Sequence, residues 1–158
     1  MAKNKEEKTN VMRVLEQKKI AYTAHTYPHE EGVAVDGVTV AKSMGFDPAI
    51  VFKTLVARGA SKQYYVFDVP VAENLDLKKA AKAVGEKSIE MIHQKELLPL
   101  TGYVHGGCSP VGMKKLFPTV FHSSAEKLAA MIVSAGKIGY QVELAPHDLA
   151  ALVRAKFA

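Results

Sequence analysis

Apolar and polar positions follow two periods along the chain. Val11, Met12, Val14 and Leu15 fall on one helical stripe, with the Thr9 hydroxyl placed to cap it. Ile20 to Tyr27 switches to strand character and is closed by Pro28. The polar, glycine-containing stretch from His29 to Asp36 reads as a loop. Val38 to Met44 returns to helix, ended by Gly45, and Asp47-Pro48 opens a brief further turn. Phe52 to Arg58 and Gln63 to Val69 are dense in aromatic and branched residues and flank Gly59-Ala60-Ser61-Lys62, which predicts a hairpin. Asp76 caps a helix through Ala83, with Gly85 beyond its end. Ser88 to Ile92, Thr119 to His122, Ala130 to Ser134 and Gly139 to Leu144 are further strands, and a short helix runs from Gln94 to Leu98. Ala135-Gly136-Lys137-Ile138 marks a second hairpin. Pro146 opens a terminal helix with Leu149, Leu152 and Val153 on one face. Helices and strands mix without regular alternation. That predicts a mixed α/β domain with a largely antiparallel sheet wrapped by helices, rather than a doubly wound parallel sheet.

Composition narrows the class. The 158 residues fit one domain, and 48% apolar with 23% charged residues excludes disordered, collagen-like and coiled-coil chains. The longest apolar run, Leu128 to Val133, is far too short to span a bilayer, which takes about 20 helical residues. Met1 to Lys8 is charged, carries no apolar run behind it, and is expected to be disordered rather than a secretory signal. The single cysteine, Cys108, excludes an intrachain disulfide and points to a reducing cytoplasm. The net charge of +5 is compatible with a polyanionic partner without requiring one.

Three features carry candidate chemistry. Lys53 stands among apolar neighbours at a strand start and shares a face with Leu55 and Ala57. If that face is inward, an ammonium enters a pocket and can hold an anionic or carbonyl group. A four-residue hairpin turn sets Lys53 opposite Asp68, so an ordinary surface ion pair is the alternative. A one-residue slip would break the pairing. The loop Gly102 to Gly112 holds four glycines and a proline, so its backbone can approach a ligand and offer N–H groups to an oxyanion. It matches neither the Walker nor the dinucleotide fingerprint. Ser134-Ala135-Gly136 can place a hydroxyl and a backbone N–H at a pocket rim, or be only a turn. Cys108 with His105 or His122 would make a thiol nucleophile, but no third orienting group is visible and a buried apolar role is the simpler reading. His25 and His29 have a spacing seen in metal sites, yet Pro28 separates them and no cysteine pairs complete a set. No metal or cofactor is expected.

Taken together, these motifs resemble the YbaK family, freestanding relatives of the editing domain of bacterial prolyl-tRNA synthetase. The resemblance rests on Phe52-Lys53-Thr54-Leu55, on Gly106-Gly107-Cys108-Ser109-Pro110 with Val111 to Lys115, and on Ser134 to Gly139. Leu77 to Ala81 and Glu143 to Pro146 support it. It covers residues 9–158 and implies a single barrel-like domain that deacylates mischarged tRNA. It further implies that Lys53 is essential and binds the terminal adenosine region or ester, and that the Gly106 N–H holds the aminoacyl carbonyl. Tyr27, Thr54, Gly107, Cys108, Ser109, Pro110, Ser134, Ala135 and Gly136 would line the same pocket. The implied substrate is Cys-tRNA(Pro), whose own thiol attacks its ester, with prolyl-tRNA synthetase as partner and no membrane. An Ala-tRNA(Pro) deacylase of the same fold and a non-catalytic RNA- or nucleotide-binding module are the alternatives.

Overall fold

The computed structural model describes residues 8–158. The charged head expected to be disordered lies outside these residues except for Lys8, whose ammonium pairs with Glu16 at 2.9 Å.

Local chemistry sets the helix ends. Thr9 Oγ1 accepts the Met12 N–H and starts α1 (Asn10–Gln17), which buries Val11, Met12 and Leu15. Asp36 accepts the Thr39 N–H and caps α2 (Gly37–Met44); Asp76 does the same through Lys79 for α3 (Leu77–Val84). Gly45 and Gly85 end these two helices at φ 81° and 75°, where a side chain would be strained. The later helices are α4 (Gln94–Thr101) and α5 (Pro146–Val153).

The strands are β1 (Thr23–Thr26), β2 (Phe52–Gly59), β3 (Tyr64–Pro70), β4 (Ile89–Met91), β5 (Thr119–Phe121), β6 (Met131–Ser134), β7 (Tyr140–Leu144) and β8 (Ala155–Phe157). They form two sheets, ordered β1-β7-β6 and β4-β2-β3-β5-β8. Among the described strands, β5 alone forms parallel ladders, with β3 and β8. The expected largely antiparallel, mixed arrangement is present. The barrel-like closure is not: among the described residues neither sheet closes, and one bridge, Val51 to Ile132, links them.

The two faces of the three-stranded sheet meet different partners. Met131, Val133, Val142 and Leu144 join α1, α5, Phe52 and Phe121 in the main apolar core. Ile132 packs with Ala41, Val51 and Val71 beneath α2. On the five-stranded sheet, Ala57, Tyr65, Phe67 and Val120 are covered by α3. Val56 and Val66 face Cys108 and Phe117.

The first hairpin corrects one expectation. Gly59 N–H bonds Gln63 C=O across a three-residue loop, with Lys62 left-handed at φ 78°. The register therefore sets Lys53 opposite Val69 and Thr54 opposite Asp68. Losing one loop residue turns Asp68 to the other face from Lys53, so the expected ion pair does not form.

Candidate active site

β4 pairs only with Ala57–Gly59. Among the described residues, Phe52 to Leu55 are in no ladder on that side, and β6 touches the edge only just before them, through the Val51 to Ile132 bridge. A cavity of about 200 Å³ borders this free edge. That placement explains why both faces of β2 line it: Lys53 and Leu55 from one, Phe52 and Thr54 from the other. Tyr27, Gly106, Cys108 and Ser134 complete the motif residues in its wall. A larger cavity of about 600 Å³ lies against α3; of the motif residues it gathers only Lys79 and Ala80 from the supporting Leu77 to Ala81 stretch, and none of the predicted site residues.

The remaining motif residues shape the walls rather than line them. Ser109 is fully buried and its hydroxyl accepts the Val111 N–H at 3.2 Å. Pro110 borders a separate small cavity. Ala135 belongs to the main core. Gly107 packs where a Cβ would stand 3.1 Å from the Ile138 nitrogen. Gly136, at φ 92°, lies against Tyr103 and Val11, and its N–H donates to Ser134 Oγ at 3.0 Å.

Gly106 is a position where only glycine fits. Its φ is 90°, and a Cβ there would stand 2.7 Å from that of Ala34. Among the described residues its N–H has no acceptor, whereas the Gly107 N–H is taken by Val104 C=O at 3.0 Å. A free backbone donor in a cavity wall is suited to a carbonyl oxygen that gains negative charge.

Two buried oxygens have no hydrogen-bond partner among the described residues, Asp68 Oδ2 and Gln141 Oε1, and both lie by this site. Asp68 sits behind Thr54, whose hydroxyl donates to its Oδ1 at 2.5 Å. Burial lifts the Asp68 carboxyl to about 7, against the opposing effect of that hydrogen bond. Gln141 lines the cavity and pairs across the sheet with Ser134. Burial, aided by the Asp68 charge, pushes the Cys108 thiol up to about 12. A thiol so held stays protonated near neutrality and is a poor nucleophile. His122, one candidate base for it, lies on the larger cavity and pairs with Glu73 at 3.4 Å. His25 Nε2 is engaged by Glu143 at 2.7 Å.

Among the described residues, Lys53 is the single ammonium on the cavity and Asp36 the single carboxylate, and no ion pair joins them. Hydrogen bonds from the Thr39 hydroxyl and N–H hold Asp36 below the usual carboxylate range, so it is charged at neutral pH. Asp36 and Gln141 are wall residues that the motifs do not include. A capping signal at Asp36 was available in the sequence. Gln141 gave none, because strand alternation groups it with Glu143 as an outward polar residue.

The fold is one domain of two linked open sheets, with the candidate cavity beside the start of β2. The family model described as "Aminoacyl-tRNA editing domain" matches residues 32–152, and the chain belongs to that family. A protein of Enterococcus faecalis named "Putative Cys-tRNA(Pro)/Cys-tRNA(Cys) deacylase EbsC" is 46% identical over all of this chain and 96% of its own length. A solved structure described as "Crystal structure of a putative trans-editing enzyme for prolyl tRNA synthetase" is 25% identical. It superposes with a TM-score of 0.77 over 94% of each chain. A further solved structure, 18% identical, shares the fold with a TM-score of 0.81 over 94% of this chain and 96% of its own.

Proposed function

We propose that this chain hydrolyses the aminoacyl ester of mischarged Cys-tRNA(Pro), acting in trans beside prolyl-tRNA synthetase. The observation that carries the reading is the meeting of Lys53 and the free Gly106 N–H on one cavity without an activated side-chain nucleophile. The deacylase name of the Enterococcus relative and the likeness to the trans-editing structure support it.

Lys53 binds the phosphate or ribose side of the terminal nucleotide and fixes the ester in place. The Gly106 N–H receives the carbonyl oxygen as charge develops on it. Cysteine and proline are close in size, and one methylene is worth only about 1–3 kcal/mol, so a second sieve by size alone discriminates poorly. The substrate's thiol supplies the difference. It loses its proton, attacks its own carbonyl and forms a cyclic thioester, while the ribose oxygen leaves and takes up a proton. Water then opens the thioester to cysteine.

The test is release of amino acid from Cys-tRNA(Pro), from S-methylated Cys-tRNA(Pro) and from Ala-tRNA(Pro). Cleavage of the first alone is expected. Greater turnover of the alanyl ester would move the assignment to an Ala-tRNA(Pro) deacylase. Salt-sensitive tRNA binding with no cleavage would make the chain a binding module.

A further inference from the structure

Besides the His105 imidazole, the cavity carries one charge of each sign, Lys53 and Asp36, and its ammonium has an evident partner in the anionic end of a tRNA. Its anion, Asp36, has none in the reaction described so far. An aminoacyl ester offers one cation, the α-ammonium, on the carbon next to the carbonyl that Gly106 would receive. A carboxylate has acceptor sites to spare beyond its cap, and Asp36 takes both Thr39 donors on one oxygen, Oδ2, with a weaker contribution from the Val38 N–H. The second observation is independent. Gln141 is 6% exposed, lines the same cavity, and its carbonyl oxygen is buried without a donor among the described residues. A buried acceptor without a partner is costly unless a ligand supplies the donor.

We propose that Asp36, assisted by Gln141, binds the free α-ammonium of the aminoacyl ester and makes the site selective for substrates whose amine is unblocked. This rests on the deacylase reading and adds a substrate class to it. An N-acylated ester, such as the one that joins a growing peptide to tRNA, carries no such charge. The domain is therefore kept from cleaving it by chemistry as well as by bulk.

The experiment compares cysteinyl-tRNA(Pro) with the same tRNA esterified by the α-hydroxy analogue of cysteine, at about pH 5.5, well below the α-amino range, where the amine is protonated. The hydroxyl is nearly the size of the amine and lacks its charge. Wild type is expected to favour the amino ester by about tenfold or more in kcat/KM, as for a charge-assisted hydrogen bond. Asp36→Asn keeps a preferred helix cap and should collapse the ratio towards one, mainly by raising KM for the amino ester. Gln141→Leu should lower the ratio part-way. An equal rate on both esters by wild type, or an undiminished ratio in folded Asp36→Asn, would overturn the ammonium site alone. Cleavage of neither ester by wild type would overturn the deacylase reading and this inference with it.

Discussion

The two faces of the three-stranded sheet, both buried along β6, do opposite things. Met131, Val133, Val142 and Leu144 look into a core whose buried members are all apolar. Ser134 and Gln141 look from the same two strands into the cavity. The apolar face holds the strands at fixed spacing. The other face keeps polar groups in place, including a buried carbonyl oxygen with no partner among the described residues. Rigidity on one side lets the site carry groups that a core would not tolerate.

Perturbing each side separately should break stability and activity apart. The largest effect on stability is expected from Phe121→Ala, which empties a fully buried position in the main core. It should cost about 3–5 kcal/mol, read as a fall in Tm, with kcat/KM preserved where the protein remains folded. Gly106→Ala should act the other way. The left-handed backbone and the approach to Ala34 leave no room for a Cβ. A loss of roughly 10²-fold in kcat/KM is expected, as when one oxyanion donor is removed, with a smaller drop in Tm.

Asp68 tests the cost of polarity beside the site. Its folded carboxyl is raised to about 7 from an ordinary 3.8. The folded state therefore holds its proton more tightly than the unfolded chain does. The resulting stability is fully present below about pH 4 and is lost as pH rises towards 7. Asp68→Asn should remove that part of the pH dependence, measured as denaturation midpoints between about pH 4 and 8. An unchanged pH slope would contradict the raised carboxyl. The smallest effect is expected for Cys108→Ser, which should keep activity within a fewfold, since the thiol is protonated and supplies wall rather than chemistry.

Helix ends were the most legible feature of the sequence, because a cap is a local event. Thr9, Asp47, Asp76, Gly45 and Gly85 all stand where their residue types predict. The register of the first hairpin was not legible. It depends on whether the loop holds three or four residues, and Lys62 takes the left-handed conformation without being glycine. β8 was equally hidden, because three residues after a helix carry almost no period, and its place comes from parallel pairing with β5. Of the predicted site residues, six line the cavity: Tyr27, Lys53, Thr54, Gly106, Cys108 and Ser134. Motif spacing did not separate lining residues from those such as Ser109 and Ala135, which only build the wall. Gln141 was hidden by alternation, which groups it with the part-exposed Glu143, whereas Gln141 itself is buried at the cavity.

The most direct test is hydrolysis of Cys-tRNA(Pro) by wild type and Lys53→Ala, with Tm recorded for both. Lys53 is half-buried at a free strand edge and makes no ion pair among the described residues. Its removal should leave Tm nearly unchanged and lower kcat/KM by about 10²-fold or more. Wild-type turnover by a folded Lys53→Ala would contradict the placement of the active site.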